Sequence, residues 1–348
     1  MRGASAPWIH GPSPVERGVR RLFHDAMMNP SHLDRPAFRP GARAEQGSER
    51  PGDPLASPVG TTTLEREGPA TPPPDSPGLQ PVALPHRTMR IHGPNAEVIA
   101  RTDWTDGLAT FSVRPVGWEL PAFKPGQFAN LALPEGEDWD TENGAAVRRA
   151  YSVASVPGED HLDFFVRRVD DGELTPSLFQ LQPGDAVYLE ERIAGHFTLD
   201  GAQDAEDLVL VGTGTGVAPY RPMILDPSTR ERFGRVLLFY SDRNSEDLGY
   251  LDEFRALEAE SSHFRFFPTI TRMRDDEDWS GLTGRVQQHL TPAAYEALTG
   301  AALDPARCQV FLCGNPAMVV EVQQALQELD FKRHRKREPG QLHMEKYW

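Results

Sequence analysis

From Asp207 to Pro219 the chain reads D-L-V-L-V-G-T-G-T-G-V-A-P, an apolar run that ends in three glycines at alternate positions. A run that does not alternate apolar with polar residues has no face to give to water. A strand built from it must be covered on both sides. Three similar runs follow: G-R-V-L-L-F-Y-S from Gly234, F-R-F-F-P-T-I-T from Phe264 and C-Q-V-F-L-C-G from Cys308. Between them the spacing turns helical. Leu251, Phe254 and Leu257 share one helix face, and Val319, Val322, Leu326 and Leu329 share another. Buried strands joined by helices predict a doubly wound parallel-sheet α/β nucleotide-binding domain over residues 205–348.

The preceding segment has another texture. Six short β-rich runs succeed one another: N-A-E-V-I-A-R-T-D-W, L-A-T-F-S-V-R-P, G-Q-F-A-N-L-A-L, R-A-Y-S-V-A-S-V, H-L-D-F-F-V-R-R-V and A-V-Y-L-E-E-R-I. Turn signals such as Lys124-Pro125-Gly126 and Gln182-Pro183-Gly184-Asp185 divide them, and one helix-like piece, Leu174 to Leu181, interrupts them. This spacing predicts a six-stranded antiparallel β-barrel over residues 86–204. Residues 1–85 hold half of the 32 prolines and no apolar periodicity. Such a segment buries too little to offset its ordering entropy, so a disordered Pro-rich extension is expected there.

Charge and cysteine content narrow the function. Residues 1–85 are balanced in charge, so the net −15 belongs to the remainder and argues against nucleic acid as a partner. Basic residues nevertheless cluster at Arg148-Arg149, at Arg167-Arg168 and from Lys332 to Arg337, where they would either line a solvated face or steer an acidic partner. No stretch approaches the length of a membrane span. Cys308 and Cys313 are too few for a disulfide framework or an iron–sulfur cluster, and they lack the His partners of a metal site. A cytoplasmic monomer without a bound metal is expected.

Four motifs offer chemistry. The glycine run Gly212 to Gly216 lets a backbone approach a pyrophosphate, although a tight turn would read the same way. Val217 departs from the usual G-x-G-x-x-G. In R-A-Y-S, Arg149 is a forked donor suited to phosphate, Tyr151 a flat face and Ser152 a hydroxyl; an ordinary strand would also read so. Gly172-Glu173-Leu174-Thr175 is a candidate helix start. In C-G-N-P, Cys313 stands at the carboxyl end of a predicted strand, where open α/β sheets bind ligands, whereas Cys308 begins the same strand.

Taken in order, R-A-Y-S-V-A-S-V, D-G-E-L-T-P-S-L, V-G-T-G-T-G-V-A-P-Y and V-F-L-C-G-N-P-A-M resemble the ferredoxin–NADP+ reductase family, in its bacterial ferredoxin/flavodoxin subclass. The resemblance spans residues 86–348 and includes the ending M-E-K-Y-W. It implies FAD in the barrel, held by Arg149, Ala150, Tyr151 and Ser152, with Ser155 and the backbone of Val166, Arg167 and Arg168 along the same groove. Gly172, Leu174 and Thr175 would approach the FAD phosphates. It implies NADP(H) on Gly212, Thr213, Gly214, Thr215, Gly216 and Gly314, with Arg243, Arg272 and Arg285 for the 2′-phosphate. Asp242 is a departure, because a carboxylate after the second strand is expected to bind an unphosphorylated ribose.

The resemblance further implies that Ser152, Cys313 and Glu345 border the place where nicotinamide meets flavin, as orienting groups for hydride transfer. Tyr347 and Trp348 would cap the flavin or its adenine. The expected reaction moves electrons between NADP(H) and a one-electron carrier, a ferredoxin or flavodoxin, through FAD. Two alternatives are an oxygenase reductase with a separate iron–sulfur partner and a flavin-binding redox sensor without turnover.

Overall fold

The computed structural model describes residues 90–136, 138, 139, 144–274 and 278–346. The extension expected over residues 1–85 and the caps expected at Tyr347 and Trp348 lie outside the described residues.

The first sheet contains β1 (Ala96–Thr105), β2 (Leu108–Pro115), β3 (Phe128–Pro134), β4 (Ala146–Ser152), β5 (Leu162–Arg167) and β6 (Ala186–Leu189). Its order is β4-β3-β6-β1-β2-β5, and every pair is antiparallel. The two outer strands meet just beyond β4, where Val153 bridges Phe164 and the Ala154 N–H donates to the Asp163 carbonyl at 2.8 Å. That contact closes the sheet into a barrel and removes its free edges. Inside it Val98, Phe111, Val113, Leu131, Phe164 and Val187 are fully buried.

The second sheet contains β7 (Ala205–Thr213), β8 (Phe233–Asp242), β9 (Phe264–Ile270), β10 (Leu282–Thr283), β11 (Cys308–Gly314) and β12 (Leu342–Lys346). All its pairs are parallel, in the order β10-β9-β8-β7-β11-β12. Every residue of β11 is buried, as its unbroken apolar run requires. Among the described residues the helices are α1 (Thr175–Leu178), α2 (Tyr220–Leu225), α3 (Pro227–Arg232), α4 (Leu251–Glu260), α5 (Pro292–Thr299) and α6 (Pro316–Gln327). Strand order reverses between β7 and β11, which opens a crevice outside their carboxyl ends.

Three elements differ from the sequence reading. The helix expected over Leu174–Leu181 is the single turn α1, with Pro176 in its first turn. The glycine loop itself takes a 3₁₀ turn, Gly214–Val217, and regular helix starts only at Tyr220. The segment that reads as a tail is the edge strand β12. Its inward apolar positions are few, so it has no period of its own, and its place comes from pairing with β11.

Two side chains tie the sheets together. Tyr250, at φ 62° before α4, packs its ring 5.1 Å from Trp104 and 5.0 Å from Phe165, and its hydroxyl lies 2.9 Å from that of Thr110. Arg221, only 8% exposed, donates to the Ala154 carbonyl at 2.8 Å and to Glu253 at 2.9 Å. Both fix the barrel against the carboxyl ends of the parallel strands.

Candidate active site

The glycine loop begins where β7 ends. A Cβ on Gly216 would stand 2.5 Å from the carbonyl oxygen of Cys313, so only glycine lets the loop lie against the end of β11. The two strand ends are also pinned through Asn315, whose N–H donates to the Thr213 hydroxyl at 2.8 Å. The Asn315 side chain then caps α6, accepting from the Ala317 N–H at 2.9 Å, with Pro316 in the first turn. C-G-N-P is thus a strand end, a hinge and a helix cap in four residues.

Outside these ends lies a cleft of about 470 Å³, lined by Thr213, Gly214, Thr215, Gly314, Arg243 and Arg285 among others. Arg272 stands one strand further along, its N–H donating to the Arg243 carbonyl at 2.8 Å. None of the three arginines forms an ion pair among the described residues, so their guanidinium groups are available to an anion. Asp242 lines the same cleft, but its side chain is engaged. It accepts from Arg167 at 2.7 Å and from the Arg243 N–H at 2.7 Å. Burial pushes its carboxyl up to about 6, with Arg167 opposing the rise.

Ser152, Cys313 and Glu345 come together, although they lie far apart in sequence. Glu345 is the ladder partner of Cys313 across β11 and β12, and Cys313 is the partner of Gly212 across β11 and β7. At the end of β4, the Ser152 hydroxyl donates to the Glu345 carboxyl at 3.4 Å. Ser152 and Cys313 are buried. Burial pushes the Glu345 carboxyl up to about 7, and the Ser152 hydrogen bond opposes that shift. A carboxyl poised near neutrality therefore sits between the barrel and the mouth of β11.

On the barrel side, Arg149 and Tyr151 share one face of β4, two residues apart. Tyr151 sets its ring edge-on to Phe164, with centroids 6.3 Å apart. Burial pushes its phenol up to about 12, so the hydroxyl stays neutral. Arg149 pairs with Glu173, which brings it to the Gly172–Thr175 turn. Thr175 closes that turn, its hydroxyl accepting from the Val169 N–H at 2.9 Å. The side chains of Val166 and Leu174 belong to the barrel core, and the buried Ser155 hydroxyl accepts from the Asp163 N–H at 3.0 Å. These three offer backbone only. Ala150 is exposed, and Arg168 pairs with Asp170 at 2.9 Å.

Sequence reasoning missed the partners of Arg167. Beside Asp242, it donates to Asp247 at 3.1 Å, so it bridges β5 to the turn after β8. An Arg-Arg pair ending a strand gives no hint of a contact about 75 residues away; the carboxylate after β8 was the only available signal. Three metal-type donors, Glu159 and His161 before β5 and Asp163 within it, come within 4.8 Å of one another, and Asp163 already pairs with Arg221 at 3.8 Å. Among the described residues no helix is long and apolar enough to cross a membrane.

Residues 121–197 match the family model of the oxidoreductase FAD-binding domain, and residues 210–324 that of the oxidoreductase NAD-binding domain. A flavodoxin/ferredoxin–NADP reductase of Buchnera aphidicola is 30% identical over 254 residues, which cover 73% of this chain and 98% of that protein. The flavodoxin/ferredoxin–NADP reductase of Escherichia coli K12 is 34% identical over 223 residues, 64% of this chain and 84% of that one. A crystal structure of a ferredoxin NADP+ reductase from Neisseria gonorrhoeae with bound FAD and NADP superposes with a TM-score of 0.65 at 32% identity. It covers 72% of this chain and 97% of that one.

Proposed function

The chain belongs to the flavodoxin/ferredoxin–NADP reductase family, and from that premise we propose how its own residues move electrons between NADP(H) and a small acidic carrier through FAD. The observation that carries this reading is the meeting of Ser152, Glu345 and Cys313 at the open end of the glycine loop. We read residues 86–204 as the FAD-binding half and 205–348 as the NADP-binding half.

The residues present fit both groups. Gly216 packed on Cys313, with Arg243 and Arg285 lining the cleft and in no ion pair among the described residues, suits a pyrophosphate and a 2′-phosphate. Arg149 supplies a forked donor, Tyr151 a ring wall and Ser152 a hydroxyl, which suits a flavin and its phosphates. When bound, FAD takes up hydride equivalents from NADPH and releases electrons singly. The protein's part is positional. Tyr151 and the end of β4 orient the flavin ring, the Gly212–Gly216 loop and Gly314 seat the dinucleotide, and Arg243, Arg272 and Arg285 grip its phosphate. Cys313 and Ser152 shape a dry contact that excludes water, and Glu345, poised near neutrality, can take up or release a proton there.

Among the basic clusters, Arg167 is held by Asp242 and Asp247, whereas Lys332, Arg333, Arg335, Lys336 and Arg337 are exposed. That loop leads into β12, where Arg333 bridges the strand's first residue, Leu342, and its field attracts an acidic carrier to the protein. The test is NADPH-driven reduction of cytochrome c through an added ferredoxin or flavodoxin. Turnover is expected to need the carrier and to fall roughly tenfold between low and high salt. Carrier-independent turnover, or indifference to salt, refutes the docking reading.

A further inference from the structure

Asp242 ends β8, the second strand of the parallel sheet, and lines the nucleotide cleft. A carboxylate in that place ordinarily accepts from the ribose hydroxyls of an unphosphorylated dinucleotide and repels a 2′-phosphate. Here the same cleft carries Arg243 and Arg285, groups that suit the phosphorylated coenzyme. Two opposed signals thus share one site.

The conflict is resolved by a residue from the other sheet. Arg167, the last residue of β5, reaches the cleft and donates from one amino group to Asp242 at 2.7 Å and from the other to Asp247 at 3.1 Å. The second Asp242 oxygen accepts from the Arg243 N–H at 2.7 Å, and the side chain is only 9% exposed. Asp247 is buried and is held in turn by the Asn244 amide at 2.8 Å. Each oxygen of Asp242 is therefore already held by a donor, and its charge is countered by a guanidinium that itself borders the cleft.

We propose that Arg167 is a coenzyme-specificity residue, which withdraws Asp242 from the ribose and so lets the cleft accept a 2′-phosphate. The selectivity of the α/β half then depends on a side chain supplied by the barrel. A purely mortar-like role between the two sheets predicts something different, namely equal damage to every ligand. The inference rests on the NADP(H) reading of the cleft and deepens it.

The experiment measures binding of 2′,5′-ADP and of 5′-AMP to the purified holoenzyme by titration calorimetry, for wild type, Arg167→Leu, Asp242→Ala and the double variant. Wild type is expected to prefer 2′,5′-ADP. Arg167→Leu frees the carboxylate and weakens 2′,5′-ADP binding by about tenfold or more, with 5′-AMP unchanged or tighter. Asp242→Ala removes the opposing charge and leaves Arg167 at the cleft, so 2′,5′-ADP binds at least about threefold tighter. The double variant returns to within about threefold of wild type, the signature of coupling. Equal losses for both ligands in Arg167→Leu, or no recovery in the double variant, overturn the proposal. If Arg167→Leu does not fold, Asp242→Ala decides, and unchanged or weaker 2′,5′-ADP binding overturns it. A wild type without preference for 2′,5′-ADP removes the NADP(H) reading and the inference with it. A preferring wild type with an indifferent Arg167→Leu removes the inference alone.

Discussion

Replacing Glu345 with Gln is expected to make the protein more stable than wild type in mildly alkaline solution and to leave it little changed in acid. The carboxyl is held near 7, against an ordinary value of 4.5, because it is half-buried and desolvated beside Ser152 and the end of β11. The folded chain therefore binds this proton more tightly than the unfolded chain does. Its contribution to stability is fully present below about 4.5 and is lost as pH rises through about 7. At about 1.4 kcal/mol per pH unit, ionising Glu345 inside the fold costs about 3.5 kcal/mol. Glutamine has nearly the same shape, keeps an acceptor for the Ser152 hydroxyl and never ionises. Any constant offset from the amide is shared by both conditions, so only the change with pH matters. Thermal unfolding of the two holoenzymes, followed by far-ultraviolet circular dichroism at pH 5 and pH 8, reads it directly. The gap in Tm should widen in favour of the variant by roughly 5–10 °C on going to pH 8. A gap that stays constant within about a degree between the two pH values would refute the reasoning, since it would mean that Glu345 is solvated or ionised throughout.

Other substitutions separate the parts of the site. Gly216→Ala places a methyl group against the Cys313 carbonyl, so NADP(H) binding should weaken by about tenfold or more while the FAD content of the purified protein stays unchanged. Arg243→Ala and Arg285→Ala each remove a guanidinium from the cleft. Steady-state assays should show KM for NADPH rising by about ten- to a hundredfold, with KM for NADH unmoved. Cys313→Ala leaves a small void at the mouth of β11 and should slow single-turnover flavin reduction by roughly tenfold at nearly constant NADPH affinity, as read by stopped-flow absorbance.

Much of this fold was legible because its two sheets obey different periods. The runs D-L-V-L-V-G and C-Q-V-F-L-C-G are strands with nowhere to face but inward, and β7 and β11 sit there side by side, buried along almost their whole length. The barrel strands also stood where alternation and turn residues put them. β12 was not legible, because an edge strand of five residues takes its register from its neighbour rather than from its own pattern. At the site, Cys313 and the glycine loop could be located because strand ends bind ligands in this architecture. The Arg167–Asp242 pair could not, since its two members belong to different sheets and nothing local to either one calls for the other. Tyr250 is a similar case: its left-handed backbone is held by tertiary contacts with Trp104, Phe165 and Thr110 that its own neighbours in sequence do not announce.

The most direct test of the account is an anaerobic titration of the purified yellow protein with NADPH and, separately, with NADH, following flavin absorbance in the visible region. NADPH should bleach the flavin at far lower concentration than NADH, because Arg243 and Arg285 line the cleft while Asp242 is held by Arg167. Bleaching by NADH at equal or lower concentration, or a protein that carries no flavin to bleach, would contradict it.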